Sequence, residues 1–141
     1  MDIKKIILLF SMLSMLSCFI YAEDYVFIAN MSVTEMYLSK DDISQIFTGK
    51  KVKWNDGSKI EVAVIKSSDI HNMFLKQYID KTAAQFGTHW KKLVFSGKAI
   101  MPKFFESESE LISYVSSTKG AIGYASSNLV DENLVTINIK E

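Results

Sequence analysis

The sequence predicts an α/β domain in which helices flank a largely parallel or mixed β-sheet. Short apolar runs typical of buried strands alternate along the chain with segments of helical periodicity. Serine or threonine residues suited to N-caps stand before the helical segments. Residues 23–141 contain no repeat, low-complexity tract or Pro/Gly-rich linker. We therefore expect one domain over residues 23–141 of the 141-residue chain.

The first predicted strand and helix lie in residues 25–49. Residues 25–29 form an apolar run suited to a buried strand, and residues 30–38 are predicted to form a loop. Ser39 has the pattern of an N-cap, with Asp42 three residues later, and Gly49 marks the end of the helix. The apolar face of this helix is predicted to consist of Ile43, Ile46 and Phe47.

A turn, a strand and a helix follow. The sequence N-D-G at residues 55–57 predicts the turn, and residues 60–65 predict the strand. Ser67 or Ser68 is expected to cap the next helix. The residues of that helix at helical spacing are Ile70, Phe74 and Tyr78 or, alternatively, Met73 and Gln77.

Two further helices have capping patterns of their own. Thr82 with Gln85, and Ser107 with Glu110, are three residues apart at the start of apolar periodic segments. The first segment is expected to bury Phe86, Trp90, Leu93 and Val94. The remaining strands are predicted at residues 103–105, 121–125 and 134–139, the last with the alternation of a half-buried edge strand. Aromatic residues with core-like spacing are Phe47, Phe74, Phe86, Trp90, Phe95 and Tyr114.

The composition excludes several classes of protein. The 16 basic residues are all lysine and balance 16 acidic residues, so a net charge of zero gives no footprint of a nucleic-acid partner. Cys18 is the only cysteine, which excludes a disulfide scaffold and a cysteine zinc site. Because arginine is absent, any anion site must use lysine, histidine, hydroxyl groups or backbone N–H groups.

Residues 1–22 have the pattern of a secretory signal peptide. Lys4 and Lys5 precede a mostly apolar run over residues 6–20, and an acidic boundary follows. The run is shorter than the roughly 20 residues that span a bilayer. The pattern therefore predicts an exported, periplasmic protein.

The position of the cleavage is less clearly specified. We expect cleavage after Ala22, which leaves a domain without cysteine. The alternative is cleavage before Cys18, because L-S-C at residues 16–18 faintly resembles a lipoprotein signal.

Residues 66–71, K-S-S-D-I-H, join a predicted strand to a helix and form a candidate binding site. Ligands bind at such junctions because a helix N-terminus presents free N–H groups and a positive dipole end. Lys66, the hydroxyl groups of Ser67 and Ser68, and His71 have the composition of an anion site. The alternative is that Ser68 only caps the helix and Lys66 is a solvated charge.

No residue pattern indicates catalysis, a metal or a cofactor. The sequence contains no G-x-S-x-G, G-x-G-x-x-G or P-loop motif. Its only histidines, His71 and His89, lie on different predicted helices, so we expect no metal site. We therefore expect a binding protein, not an enzyme, that needs no cofactor.

Three motifs in order resemble the periplasmic phosphate-binding proteins of ABC importers, and especially their short single-domain relatives. Residues 42–57 resemble the family's I-F-x-G-K…W-x-D-G stretch. Residues 90–98 resemble its W…F-x-G-K segment, and residues 119–124 its P-G-A-I-G-Y turn, with lysine in place of proline. The resemblance covers about residues 25–137. It implies a single periplasmic-binding-protein-like lobe and an oxyanion ligand, with phosphate as the default.

The resemblance also implies positions for the binding residues. Short relatives carry serine and arginine six and three residues before a helix phenylalanine. Counting back from Phe74 places Ser68 at the serine and His71 at the arginine. Lys66 lies near the arginine of the longer family members, and the loop after the first strand offers Asn30 and Ser32.

Two functions from different classes follow. The first is a solute-binding protein in which the side chains just named bind phosphate or a related oxyanion. The second is a periplasmic interaction module without a ligand that contacts a membrane transporter or sensor.

Overall fold

The computed structural model describes residues 24–66 and 68–141, together with Ile3. Apart from Ile3, the predicted signal peptide lies outside the described residues, as do both predicted cleavage points. No helix in the described part of the chain is long and apolar enough to cross a membrane. The strands are β1 Tyr25–Asn30, β2 Tyr37–Ser39, β3 Glu61–Ile65, β4 Lys103–Phe105, β5 Ala121–Ser126 and β6 Leu134–Lys140. The helices are α1 Lys40–Phe47, α2 Asp69–Phe74, α3 Ala83–Phe95 and α4 Glu108–Ser117.

The six strands form one mixed sheet in the order β2-β6-β1-β5-β3-β4. β1 pairs antiparallel with both β5 and β6, while the β2–β6, β3–β4 and β3–β5 pairs are parallel. All strands except β1 therefore run in the same direction. The sheet has one edge where these five strands end, which we call the carboxyl edge, and one where they begin, which we call the amino edge.

Helices cover both faces of the sheet. Neighbouring residues of a strand point to opposite faces, and β4 shows which helix lies on each: Phe104 packs on Phe86 of α3, and Phe105 packs on Tyr114 of α4. Phe47 of α1 and Phe74 of α2 both contact Tyr124 of β5, on the same face as α3. The resulting α/β/α layers share one hydrophobic core.

Local capping chemistry starts the helices as the sequence predicts. The Ser39 hydroxyl accepts from the Asp42 N–H at 3.0 Å while the Asp42 carboxylate accepts from the Ser39 N–H, a complete capping box. Thr82 and Gln85 form the same box at α3. The predicted face of α1 is confirmed, since its three apolar residues are fully buried. α2 continues as a π-helical turn, Leu75–Ile79.

Two predictions about strands are wrong. Tyr37 and Leu38, predicted as loop, form with Ser39 a three-residue edge strand that pairs with β6. β6 is consequently not an edge strand, because it is hydrogen-bonded to β1 on its other side. Its alternating burial comes from having one covered and one exposed face.

The prediction for the end of α3 is also wrong. Phe86 and Trp90 are buried as predicted, but Val94 is 37% exposed and Phe95 is 97% exposed. Phe95 lies five positions after Trp90, so the helical rotation of 100° per residue turns it away from the buried stripe. Val94 lies in the last turn, beyond the covered part of the helix.

Candidate functional site

The carboxyl edge brings three loops together around β3. The neighbouring parallel strands β4, β3 and β5 all end there. The chain leaves β3 for β4 through α2 and α3, and leaves β4 for β5 through α4 on the opposite face. Crevices of this type, where crossovers leave to opposite faces, are where open α/β sheets bind ligands.

Ser68 begins α2 at this edge. Its extended backbone places the side-chain oxygen where it accepts from the His71 N–H at 3.0 Å. The backbone N–H groups of Asp69 and Ile70, in the first turn, precede the first intrahelical donor. A hydroxyl group is also a donor, so the capping bond leaves the Ser68 hydrogen for a second partner. Ser67, the other predicted hydroxyl, lies outside the described residues.

Lys66 lies between the ends of β3 and β4. Its backbone N–H donates to the Phe105 carbonyl at 2.8 Å, and its ammonium group pairs with the Glu106 carboxylate at 2.9 Å. Both side chains are more than half exposed, so water screens the pair and leaves it weak and exchangeable. The lysine is available at the edge, with an acidic competitor beside it.

His71 lies beneath the loop. It is 2% exposed, and its ring packs on Tyr124 and Phe86. The Tyr124 oxygen accepts from the Ile65 N–H at 3.3 Å and lies 2.5 Å from Nδ1 of His71. Burial lowers the pKa of His71 and raises the pKa of Tyr124. We therefore assign a neutral imidazole that accepts the phenolic proton at Nδ1 and carries its own proton on Nε2.

Asn30 and Ser32 lie at the opposite, amino edge. The Asn30 amide donates to the carbonyl groups of Val115 and Ser116 at 2.9 and 3.0 Å and accepts from the Ser32 N–H at 3.0 Å. The Ser32 hydroxyl accepts from the Gly120 N–H at 3.0 Å. These bonds fasten the β1 loop to the end of α4.

The structure does not bring Asn30 and Ser32 to Ser68. Along β5, Asn30 lies near the start of the strand, because the residue before it pairs with Ile122. Ser68 lies beyond the other end of β5, past Ser126. A rise of about 3.3 Å per residue puts roughly 16 Å of strand between the two levels. The separation arises because β1 runs against the other strands, so its end lies where they begin.

Acidic residues surround this edge, and Glu106 and Glu108 were not connected with the site from the sequence. Asp69 lies in the first turn of α2, and Glu108 lies in the first turn of α4. The Glu108 carboxylate accepts a hydrogen bond of 2.5 Å from the N–H of Ser126, the last residue of β5, and Glu106 pairs with Lys66. Tyr124, which orients His71, was missed as well. Its place in the predicted strand at residues 121–125 was the available signal.

Comparison with known proteins shows the fold. The chain matches a phosphate-bound ABC transporter substrate-binding protein from Clostridium perfringens with a TM-score of 0.66 and 19% identity, over 82% of this chain and 44% of that one. It matches PstS from Borrelia burgdorferi with a TM-score of 0.64 and 16% identity, over 83% of this chain and 47% of that one. It matches an ABC-type phosphate transport receptor from Vibrio cholerae with a TM-score of 0.57 and 17% identity, over 82% of this chain and 45% of that one.

These matches confirm the predicted fold class and, at the level of the fold, the resemblance seen in the motifs. The chain has the α/β fold found in phosphate ABC transporter substrate-binding proteins. It spans less than half the length of each of these solved structures. No protein-family model and no curated protein sequence matches it.

Proposed function

We propose that this chain is an exported, periplasmic solute-binding protein that binds phosphate or a related oxyanion at the carboxyl edge of its sheet. Ser68 and the first N–H groups of α2 would donate to the anion, with Lys66 nearby, and Ser67 stays a ligand predicted from the sequence. His71 would act from below through Nε2–H. Asn30 and Ser32, predicted from the resemblance, would have to act from the other edge, so we assign them to the structure of the β1 loop.

The observation that carries the proposal is the position of Ser68. It caps a helix directly after the central strand of three parallel strands, and helix N-termini with free N–H groups are favourable anion sites. The similarity in fold to a protein solved with bound phosphate supports the same choice of ligand. The ligand would face water in this single lobe, which weakens each charge contact.

Calorimetry with inorganic phosphate tests the proposal. We expect heat of binding at millimolar phosphate for the protein as the cell processes it, and at least tenfold weaker binding for Ser68→Ala. Ser39→Ala is the matched control, because Ser39 caps α1 in the same way but lies four strands away. Absence of heat in both mildly acidic and mildly basic buffer would refute the proposal.

A second candidate is the ligand-free interaction module for a transporter or sensor. The observation that favours it is the negative charge at the carboxyl edge. Glu106 forms an ion pair with the ammonium group of Lys66, and the Asp69 carboxylate competes with a bound anion for the positive end of the α2 dipole. Co-purification with a membrane protein in phosphate-free buffer, together with a silent phosphate titration, would select this function.

A further inference from the structure

A cleft at the amino edge has the features of a second, separate binding surface. It has a volume of about 270 Å³ and lies between the end of α1, the start of β3 and the loop at residues 98–102. Its floor includes Ile46, Ile60 and Trp90, each at least 94% buried. The floor is continuous with the hydrophobic core and is therefore firm and apolar.

Four lysines surround this floor: Lys51, Lys53, Lys59 and Lys98. Two of them have carboxylate partners, since Lys51 pairs with Asp42 at 3.5 Å and Lys59 with Glu61 at 2.8 Å. Lys53 and Lys98 are exposed and form no ion pair with any described residue. We call this surface the lysine cleft. Its unpaired positive charge would attract carboxylates.

The lips of the lysine cleft are apolar and open to solvent. Val52 is 53% exposed and Ile100 is 75% exposed, and both line the cleft. Neighbouring Met101 is a further exposed apolar residue of the same loop. An occupant confined to the cleft would leave these lips in water, whereas a longer occupant would cover them. Apolar residues grouped around a pocket and bordered by charge are typical of protein interaction sites.

We propose that the lysine cleft docks an acidic segment of a partner protein, which inserts one apolar side chain between the lysines. The volume is below the roughly 300–1,000 Å³ of drug-sized ligand sites but suits a single anchoring side chain. Carboxylates on either side of that anchor would pair with Lys53 and Lys98. The concave shape favours a protruding side chain over a flat bilayer. The surface is independent of the phosphate site at the other edge.

Selection of random dodecapeptides displayed on phage tests the chemistry of the occupant. The expected consensus is a leucine, phenylalanine or tryptophan with at least two acidic residues within three positions. The affinity of a synthetic consensus peptide should fall when sodium chloride rises from 50 to 500 mM, because salt screens exposed charge pairs. A peptide with its acidic residues replaced by lysine should not bind.

Variants of the protein locate the binding. Lys53→Glu combined with Lys98→Glu should weaken the peptide at least tenfold, and Ile100→Ser at least threefold. Lys91→Glu combined with Lys92→Glu is the matched control, since these exposed lysines lie on α3 outside the cleft. The control should change affinity less than threefold. Ser68→Ala should bind the peptide as the unaltered protein does, even if phosphate binding is absent.

Three results would overturn the proposal. One is a selection that yields no acidic-apolar consensus. Another is equal binding of the peptide by the protein and by the Lys53→Glu, Lys98→Glu variant. The third is that the unaltered protein sediments with phosphatidylglycerol vesicles, the Lys53→Glu, Lys98→Glu variant does not, and no peptide binds. That result would assign the surface to a membrane.

Discussion

The two edges of the sheet offer opposite chemistry. At the carboxyl edge, serine N-caps open α1, α2 and α4, and acidic side chains occupy their first turns. At the amino edge, lysines surround an apolar cleft. Carboxylates in the first turn of a helix are stabilised by the positive end of its dipole. The comparison indicates that a small anion would be bound by hydroxyl and N–H donors, whereas the positive surface is suited to a larger acidic partner.

The backbone is closely packed at Gly120, at the amino edge, and Gly120→Ala should cause the largest loss of stability. Gly120 has a φ of +76°, and a Cβ atom there would lie 2.2 Å from the Lys59 carbonyl oxygen. Its carbonyl accepts from the Trp54 indole at 2.9 Å. We expect the free energy of unfolding in urea to fall by about 3–5 kcal/mol.

Gly97→Ala is the control for this prediction. Gly97 has a similar φ of +73°, but an added Cβ would meet no atom within 4 Å. Backbone strain alone should then reduce the free energy of unfolding by about 1–2 kcal/mol. Equal losses in the two variants would contradict the close packing of Gly120.

Beneath the carboxyl edge, Tyr124→Phe should have the next largest effect. It removes the hydroxyl that bonds to His71 and accepts from the Ile65 N–H, and leaves buried polar atoms without a partner. We expect a loss of about 1–3 kcal/mol in urea unfolding. Tyr25→Phe should lose less, because the Tyr25 hydroxyl bonds to Gln77 at an exposed position. The reverse order would show that His71 does not depend on Tyr124.

Features set by neighbouring residues were predictable from sequence. The Ser39–Asp42 capping box and the buried stripe of α1 depend only on spacing within one helix, and both are present. The direction of β1 was not predictable, because it depends on which strands pair with it. Asn30 and Ser32 were grouped with Ser68 through the family resemblance, and the antiparallel direction of β1 places them at the other edge.

The surroundings of His71 were only partly predictable. Its spacing of four and seven residues from Leu75 and Tyr78 was a signal for a partly apolar face, but its polar character suggested an exposed position. Glu106 and Lys66 are 40 positions apart, and only the parallel pairing of β3 with β4 brings them together. Contacts of this kind require the sheet order.

The burial of His71 should make stability depend on pH. Because burial lowers its pKa in the folded state, the unfolded chain binds a proton below about pH 6.5 that the folded chain does not. Stability is therefore unaffected by this group above pH 6.5 and falls as the pH decreases below it, by up to about 1.4 kcal/mol per pH unit.

His71→Asn checks this prediction, because the asparagine carbonyl can accept from Tyr124 without titrating. The slope of urea-unfolding free energy between pH 6.5 and 5 should be smaller in the variant. Asp42 does not interfere, since its hydrogen bond from the Ser39 N–H lowers its pKa and its effect comes at more acidic pH. Identical slopes would show that His71 titrates normally.

The smallest expected effect concerns the charge that competes for Lys66. Glu106→Gln should change the free energy of unfolding by less than about 0.5 kcal/mol, because the pair is exposed. It should strengthen phosphate binding two- to fivefold in low-salt calorimetry, and the gain should vanish at 500 mM sodium chloride. Glu132→Gln makes the same charge change just before β6, at the amino edge, and should leave phosphate affinity unchanged. Equal gains in both variants would mean that net charge, not the local Lys66–Glu106 pair, determines phosphate affinity. The difference between the two edges would then not extend to ligand binding.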